Sequence, residues 1–168
     1  MRIYLIGFMG CGKSTVGKKL AKKLGYLFVD LDEAIEQQNG KSISKIFEEE
    51  EGEKKFRTLE SNTLKDISTK EEVVVATGGG TPCFNDNLQL MNETGITIYI
   101  SMSHGSLFHR LAKSKAKRPL IKELSDIKLM DFIMDVLPFR DEFYSKALFT
   151  VKGEDIKVEK ILELIKTN

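Results

Sequence analysis

Gly7-Phe8-Met9-Gly10-Cys11-Gly12-Lys13-Ser14 fits the pattern G-x-x-x-x-G-K-[ST], and both flanks are those the pattern requires. Before it, Ile3-Tyr4-Leu5-Ile6 is short and apolar on both faces, as a buried parallel strand reads. After it, Ser14, Val16, Leu20 and Leu24 keep helical spacing until Gly25 stops the run. Glycines at these places let the backbone wrap an anion with its N–H groups pointing inward, and the helix start adds a positive dipole end. A bare strand-to-helix turn also uses glycine, but chance matches seldom carry both flanks. The stretch therefore reads as a nucleotide phosphate loop. Lys13 reaches the β- and γ-phosphates, and the Ser14 hydroxyl ligates Mg²⁺.

Outward from that loop, strands and helices alternate. Leu27-Phe28-Val29 is a second strand, ending in Asp30-Leu31-Asp32. A helical stretch from Glu33 to Ile67 breaks at Gly40 and Gly52, with Ser42 as a cap. Val73-Val74-Val75-Ala76 runs into Thr77-Gly78-Gly79-Gly80, and Ile96-Thr97-Ile98-Tyr99-Ile100 forms a fourth strand. A helix from about Ser103 to Ala112 follows, then a basic stretch from Lys113 to Lys122, then a long helix from about Ser125 to Tyr144 bent at Pro138. Leu148-Phe149-Thr150-Val151 and an amphipathic helix marked by Val158, Ile161, Leu162 and Ile165 close the chain. This is the pattern of a three-layer α/β fold with a parallel sheet.

The chain has 168 residues, so one domain spanning 1–168 is expected. With 41% hydrophobic and 30% charged residues it suits a globular protein rather than a disordered one. The net charge of +1 lacks the basic excess of a dedicated nucleic-acid binder. No apolar run reaches the length of a membrane span, and the N-terminus is not a signal-peptide pattern. Cys11 and Cys83 form no CxxC pair and no disulfide framework, which fits a reducing compartment. The expectation is a cytoplasmic monomer with small-molecule partners and neither nucleic acid nor membrane. His104 and His109 match no metal or triad spacing.

A phosphate loop alone does not separate kinases from other nucleotide hydrolases. No N-K-x-D segment is present to read guanine, and the strand ending at Ala76 leads to Thr77 rather than to a carboxylate. The candidate carboxylates are Asp30 and Asp32. Alternation in an extended segment puts both on one side, at the edge where ligands bind in open α/β sheets. One serves Mg²⁺ and the other meets a hydroxyl, or both cap the following helix near Glu33. The triple glycine offers bare backbone to a ligand. Arg57 and Arg140 lie in partly apolar helical surroundings, and two such forks point to an anionic small substrate. The basic run containing Lys113, Lys115, Lys117, Arg118 and Lys122 reads as a lid that brings a cation to the phosphates.

Taken together and in order, Gly7 to Thr15, Asp30-Leu31-Asp32, Ile46-Phe47, Gly52-Glu53 with Phe56-Arg57, Thr77-Gly78-Gly79-Gly80, Arg118-Pro119-Leu120 and Arg140 with Tyr144 resemble the shikimate kinase family. The resemblance implies a P-loop kinase fold with a five-stranded parallel sheet in the order 2-3-1-4-5, a lid at about 112–124 and a substrate-binding helical part at about 32–62. It implies transfer of the γ-phosphoryl of ATP to the 3-hydroxyl of shikimate, giving shikimate 3-phosphate and ADP in chorismate biosynthesis. Gly10, Cys11, Gly12, Lys13, Ser14 and Thr15 would hold ATP phosphates, with Arg110 near the adenine. Ser14 would ligate Mg²⁺, with Asp30 helping through water. Asp32 would bind shikimate hydroxyls and serve as the base. Arg57 and Arg140 would clamp the carboxylate, and Gly78, Gly79 and Gly80 would line the same subsite. Lys13, Asp32 and Arg118 form the catalytic set, with Arg118 closing from the lid. The chain departs from the family in reading Arg140-Asp141-Glu142-Phe143-Tyr144 where many members carry R-x-P-x-Y, and in one extra residue around Glu48 to Glu51. The alternatives are a gluconate or nucleotide kinase of the same fold, or a nucleotide-binding regulatory module without transfer activity.

Overall fold

Val, Ile and Leu dominate the three inner strands because these are covered on both faces, whereas the two edge strands are partly exposed. In the computed structural model, which describes residues 1–115 and 119–166, the strands are β1 (Arg2–Ile6), β2 (Leu27–Asp30), β3 (Val73–Ala76), β4 (Ile96–Ser101) and β5 (Phe149–Lys152). They form one parallel sheet, as the alternation of strands and helices leads one to expect, in the order β2-β3-β1-β4-β5 that the family resemblance implies. Ile3 to Ile6 in the central strand are fully buried. Helices α1 (Lys13–Leu24), α2 (Leu31–Asn39), α3 (Ile43–Phe47), α4 (Gly52–Ser68), α5 (Asn87–Thr94), α6 (His104–Ser114), α7 (Asp126–Tyr144) and α8 (Val158–Lys166) flank the sheet. The result is the three-layer α/β architecture.

The register positions the site. Leu5 pairs with Ala76, and Ala76 pairs with Asp30. The loops after β1, β2 and β3 therefore leave the same sheet edge side by side. They are the phosphate loop, the Asp30–Asp32 turn and the Thr77–Gly80 run.

Two local differences have simple causes. The Asp30 side chain accepts the Asp32 N–H at 3.2 Å, so Asp30 is itself the cap and α2 starts at Leu31, which leaves Asp32 in the helix rather than in an extended segment. Helix α5 escaped notice because it is short and its buried apolar positions are only Leu88 and Met91. Gly25 ends α1 in the left-handed conformation and Ser42 caps α3, both as expected, while Ser103 and Ser125 also accept backbone N–H groups at the starts of α6 and α7. Helix α7 passes through Pro138 near the exposed Met134, where water can serve the carbonyl that proline leaves without a donor. No helix among the described residues is long and apolar enough to cross a membrane.

Candidate active site

The phosphate loop turns back on itself through Gly10 (φ +81°) and Gly12 (φ +102°), a conformation that side-chain-bearing residues rarely adopt. Lys13 follows at the first position of α1 and is 8% exposed. Its ammonium donates to the Gly7 carbonyl at 2.7 Å and the Phe8 carbonyl at 2.9 Å, with the buried Cys11 Sγ at 3.7 Å. A cleft of about 320 Å³ opens above the loop and reaches Thr15, Asp30, Asp32, Gly78, Gly79 and Arg110. Arg110, on α6, donates to the Cys11 carbonyl at 3.3 Å and to the Gly153 carbonyl at 3.4 Å, tying the phosphate loop to the turn after β5.

The two acids sit in one turn with distinct surroundings. Asp30 Oδ2 accepts the Ser14 hydroxyl at 2.8 Å. Asp32, two residues into the helical turn rather than on an extended strand, faces the same cleft. Burial pushes its carboxyl up from 3.8 to about 6, the negative charges of Asp30, Glu60 and Glu36 add to this, and Lys13 opposes it. The extended alternation expected from the sequence is thus replaced by a cap, but both carboxylates still meet at the sheet edge.

Arg57 and Arg140 meet the triple-glycine run from different helices. Beyond Gly79, at Gly80, a side chain would collide with Arg57, whose Nη2 lies 2.8 Å from where a Cβ would stand. At Gly79 the corresponding neighbour is Arg140 Nη1 at 3.0 Å. Arg57 donates from Nη1 to Oε2 of the fully buried Glu60 at 2.9 Å, and Glu60 Oε1 accepts the Thr81 hydroxyl at 2.6 Å. Arg140 lies over the Phe8 ring at 5.4 Å. The Tyr144 hydroxyl, one helical turn on, donates to the Gly79 carbonyl. Tyr99 on β4 donates to Asp141 at 2.6 Å, and its ring packs against that of Tyr144 at 5.0 Å. Helix α7 runs through Asp141-Glu142-Phe143 to Tyr144, which puts Arg140 and Tyr144 on one face.

Sequence reasoning missed Glu60, Thr81, Tyr99 and Phe84, the last of which sets its ring 3.9 Å from Arg57 Cζ. Glu60 had a signal: it stands three residues after Arg57, at the helical spacing for an ion pair. The others reach the site only through the fold. Arg118 lies outside the described residues. On its flanks, Lys115 donates to the Leu124 carbonyl at 2.6 Å and to Asp126 at 3.2 Å, and Ile121 is fully buried. Lys115 is therefore engaged at the start of α7 instead of facing the cleft.

A phosphate loop on a 2-3-1-4-5 sheet, with a carboxylate and two arginines beyond it, defines a P-loop kinase of small molecules. The family model "Shikimate kinase" matches residues 9–167. A shikimate kinase of Phocaeicola vulgatus is 45% identical over 156 residues, which is 93% of this chain and 89% of that protein. The crystal structure of shikimate kinase from Bacteroides thetaiotaomicron superposes with a TM-score of 0.94 at 40% identity, over 99% of this chain and 98% of that one. Shikimate kinase from Acinetobacter baumannii in complex with shikimate gives a TM-score of 0.83 at 36% identity, over 99% and 93% of the two chains. The chain belongs to the shikimate kinase family, and it is an ATP-dependent kinase.

Proposed function

We propose that this protein transfers the γ-phosphoryl of ATP to the 3-hydroxyl of shikimate, using the residues gathered at the sheet edge. The observation that carries this reading is the single cleft that runs from Lys13 and Ser14 past Asp32 to Gly79, where Arg140 stands. One end fits phosphates and the other fits a hydroxylated carboxylate. The whole chain acts as one kinase core, with 32–62 on the acceptor side and 112–124 as the lid.

The loop from Gly10 to Thr15 holds the phosphates by its backbone N–H groups, and Lys13 leaves its own loop's carbonyls to meet them. Arg110 closes the adenine side. Ser14 and Asp30, with hard oxygens 2.8 Å apart, fit Mg²⁺, a cation that takes few protein ligands beside phosphate and water. When bound, the ion neutralises phosphate charge. Arg57 and Arg140 hold the carboxylate of shikimate, and Gly78, Gly79 and Gly80 keep side chains out of its way. Asp32 accepts a hydrogen bond from the 3-hydroxyl. As that oxygen bonds to the γ-phosphorus and the bridge to the β-phosphate breaks, the proton passes to Asp32 and ADP leaves. Arg118 closes from the lid over the transferred group.

The test is ADP release with ATP and Mg²⁺ against shikimate, gluconate and nucleoside monophosphates. Turnover is expected with shikimate, and turnover with gluconate but not shikimate overturns the reading. Arg57→Ala is expected to raise the KM for shikimate far more than that for ATP. Equal changes in both count against the assignment of Arg57.

A further inference from the structure

The guanidinium of Arg57 is confined on more sides than its pairing with Glu60 requires. The Phe84 ring lies 3.9 Å from Cζ, and the Phe56 ring lies at 5.1 Å. The next residue, Asn85, donates from Nδ2 to the carbonyl oxygen of Arg57 at 3.1 Å. Asn85 has φ +51°, a left-handed turn that asparagine tolerates, so consecutive residues reach the tip and the root of one arginine. Among the described residues, Phe84 belongs neither to the hydrophobic core nor to the half-buried side chains packed on it. Its half-buried ring lies against the guanidinium.

The donors of Arg57 are unequally used. Nη1 serves Glu60, Nη2 has only Glu53 at 3.9 Å, and Nε is buried with no hydrogen-bond partner among the described residues. A buried N–H without a partner is costly, and Nε with Nη2 forms the parallel pair of donors that matches a carboxylate. We infer that Phe84 and Asn85 are positioning residues, which fix Arg57 so that its Nε–Nη2 edge is presented to the carboxylate of the acceptor. The inference rests on the proposed assignment of Arg57 to that carboxylate. A ring face against the planar fork opposes its rotation about the Glu60 contact and adds a cation–π attraction.

Steady-state KM and kcat for shikimate and ATP, in Phe84→Leu, Phe84→Tyr, Asn85→Gly and Arg57→Ala, test it. Phe84→Leu is expected to raise the shikimate KM about tenfold and leave kcat and the ATP KM within about twofold. Phe84→Tyr restores the shikimate KM. Asn85→Gly, which keeps the left-handed turn, raises it by about threefold and stands in if Phe84→Leu does not fold. A shikimate KM that stays put in Phe84→Leu while Arg57→Ala raises it overturns the positioning role alone. Equal rises in both KM values, or failure of tyrosine to restore, also overturn it. If Arg57→Ala leaves the shikimate KM untouched, the assignment of Arg57 falls first and the positioning role with it.

Discussion

Asp32 shows how one side chain trades stability for chemistry. Its carboxyl is buried among Asp30, Glu60 and Glu36, so the fold favours the neutral form and the pKa rises from 3.8 to about 6. The stability linked to that shift is full below pH 4 and lost as pH rises through 6, because above 6 the folded state must hold a buried charge. The loss amounts to about 3 kcal/mol. Asp32→Asn should therefore be more stable than the wild type at pH 8 and equal to it at pH 4, as urea unfolding at the two pH values will show. Equal midpoints at pH 8 would rule out the buried charge as a cost. The same substitution is expected to reduce kcat by about 10²-fold or more, since the acceptor of the hydroxyl proton is gone. For the wild type, kcat/KM should fall as pH drops through about 6, with protonation of Asp32 in the free enzyme. Asp30 and Asp32 were legible as a pair from D-x-D after a strand. Their roles as cap and buried acid were not, because they depend on where the helix starts.

At the scale of elements, α7 and α4 each carry one arginine to the glycine run. Helix α7 is fixed by hydrogen bonds from strand and loop: Tyr99 to Asp141, and Tyr144 to the Gly79 carbonyl. Burial, reinforced by the Asp141 carboxylate, raises the Tyr99 hydroxyl above its ordinary range and keeps it a donor. Tyr99→Phe should cost about 1 kcal/mol in urea unfolding and raise the shikimate KM through Arg140, with the ATP KM unchanged. An unchanged shikimate KM would show that Arg140 is held by other contacts. Helix α4 could be read as far as Arg57 and, by spacing, Glu60. Nothing in the sequence around Thr81 to Asn85 shows that this segment folds over Arg57. That contact joins residues far apart along the chain, through the β3–α5 connection.

For the molecule as a whole, binding at the sheet edge must report on folding. A ligand at a hundred times its Kd adds about 2.7 kcal/mol to the folded state. Shikimate is expected to raise the Tm of the wild type by several degrees and that of Arg57→Ala by much less, in thermal scans with and without ligand. An equal rise in both proteins would place the acceptor away from Arg57. Core packing provides the scaffold for this: Leu64 on α4 is fully buried, and Leu64→Ala should lower stability by about 2–5 kcal/mol and soften the wall that holds Arg57 and Glu60. What residues 1–168 determined unaided were the phosphate loop, the alternation of strands and helices and the residue types facing the ligands, because local periodicity and glycine chemistry act over a few positions. The tertiary structure alone decided which of those residues meet. Parallel pairing of β2, β3 and β1 brings three distant loops to one edge. Burial there raises Asp32, and the turn before α5 brings Phe84 and Asn85 against Arg57. Such effects depend on distance and dielectric between segments remote in the chain, and no window of sequence contains them.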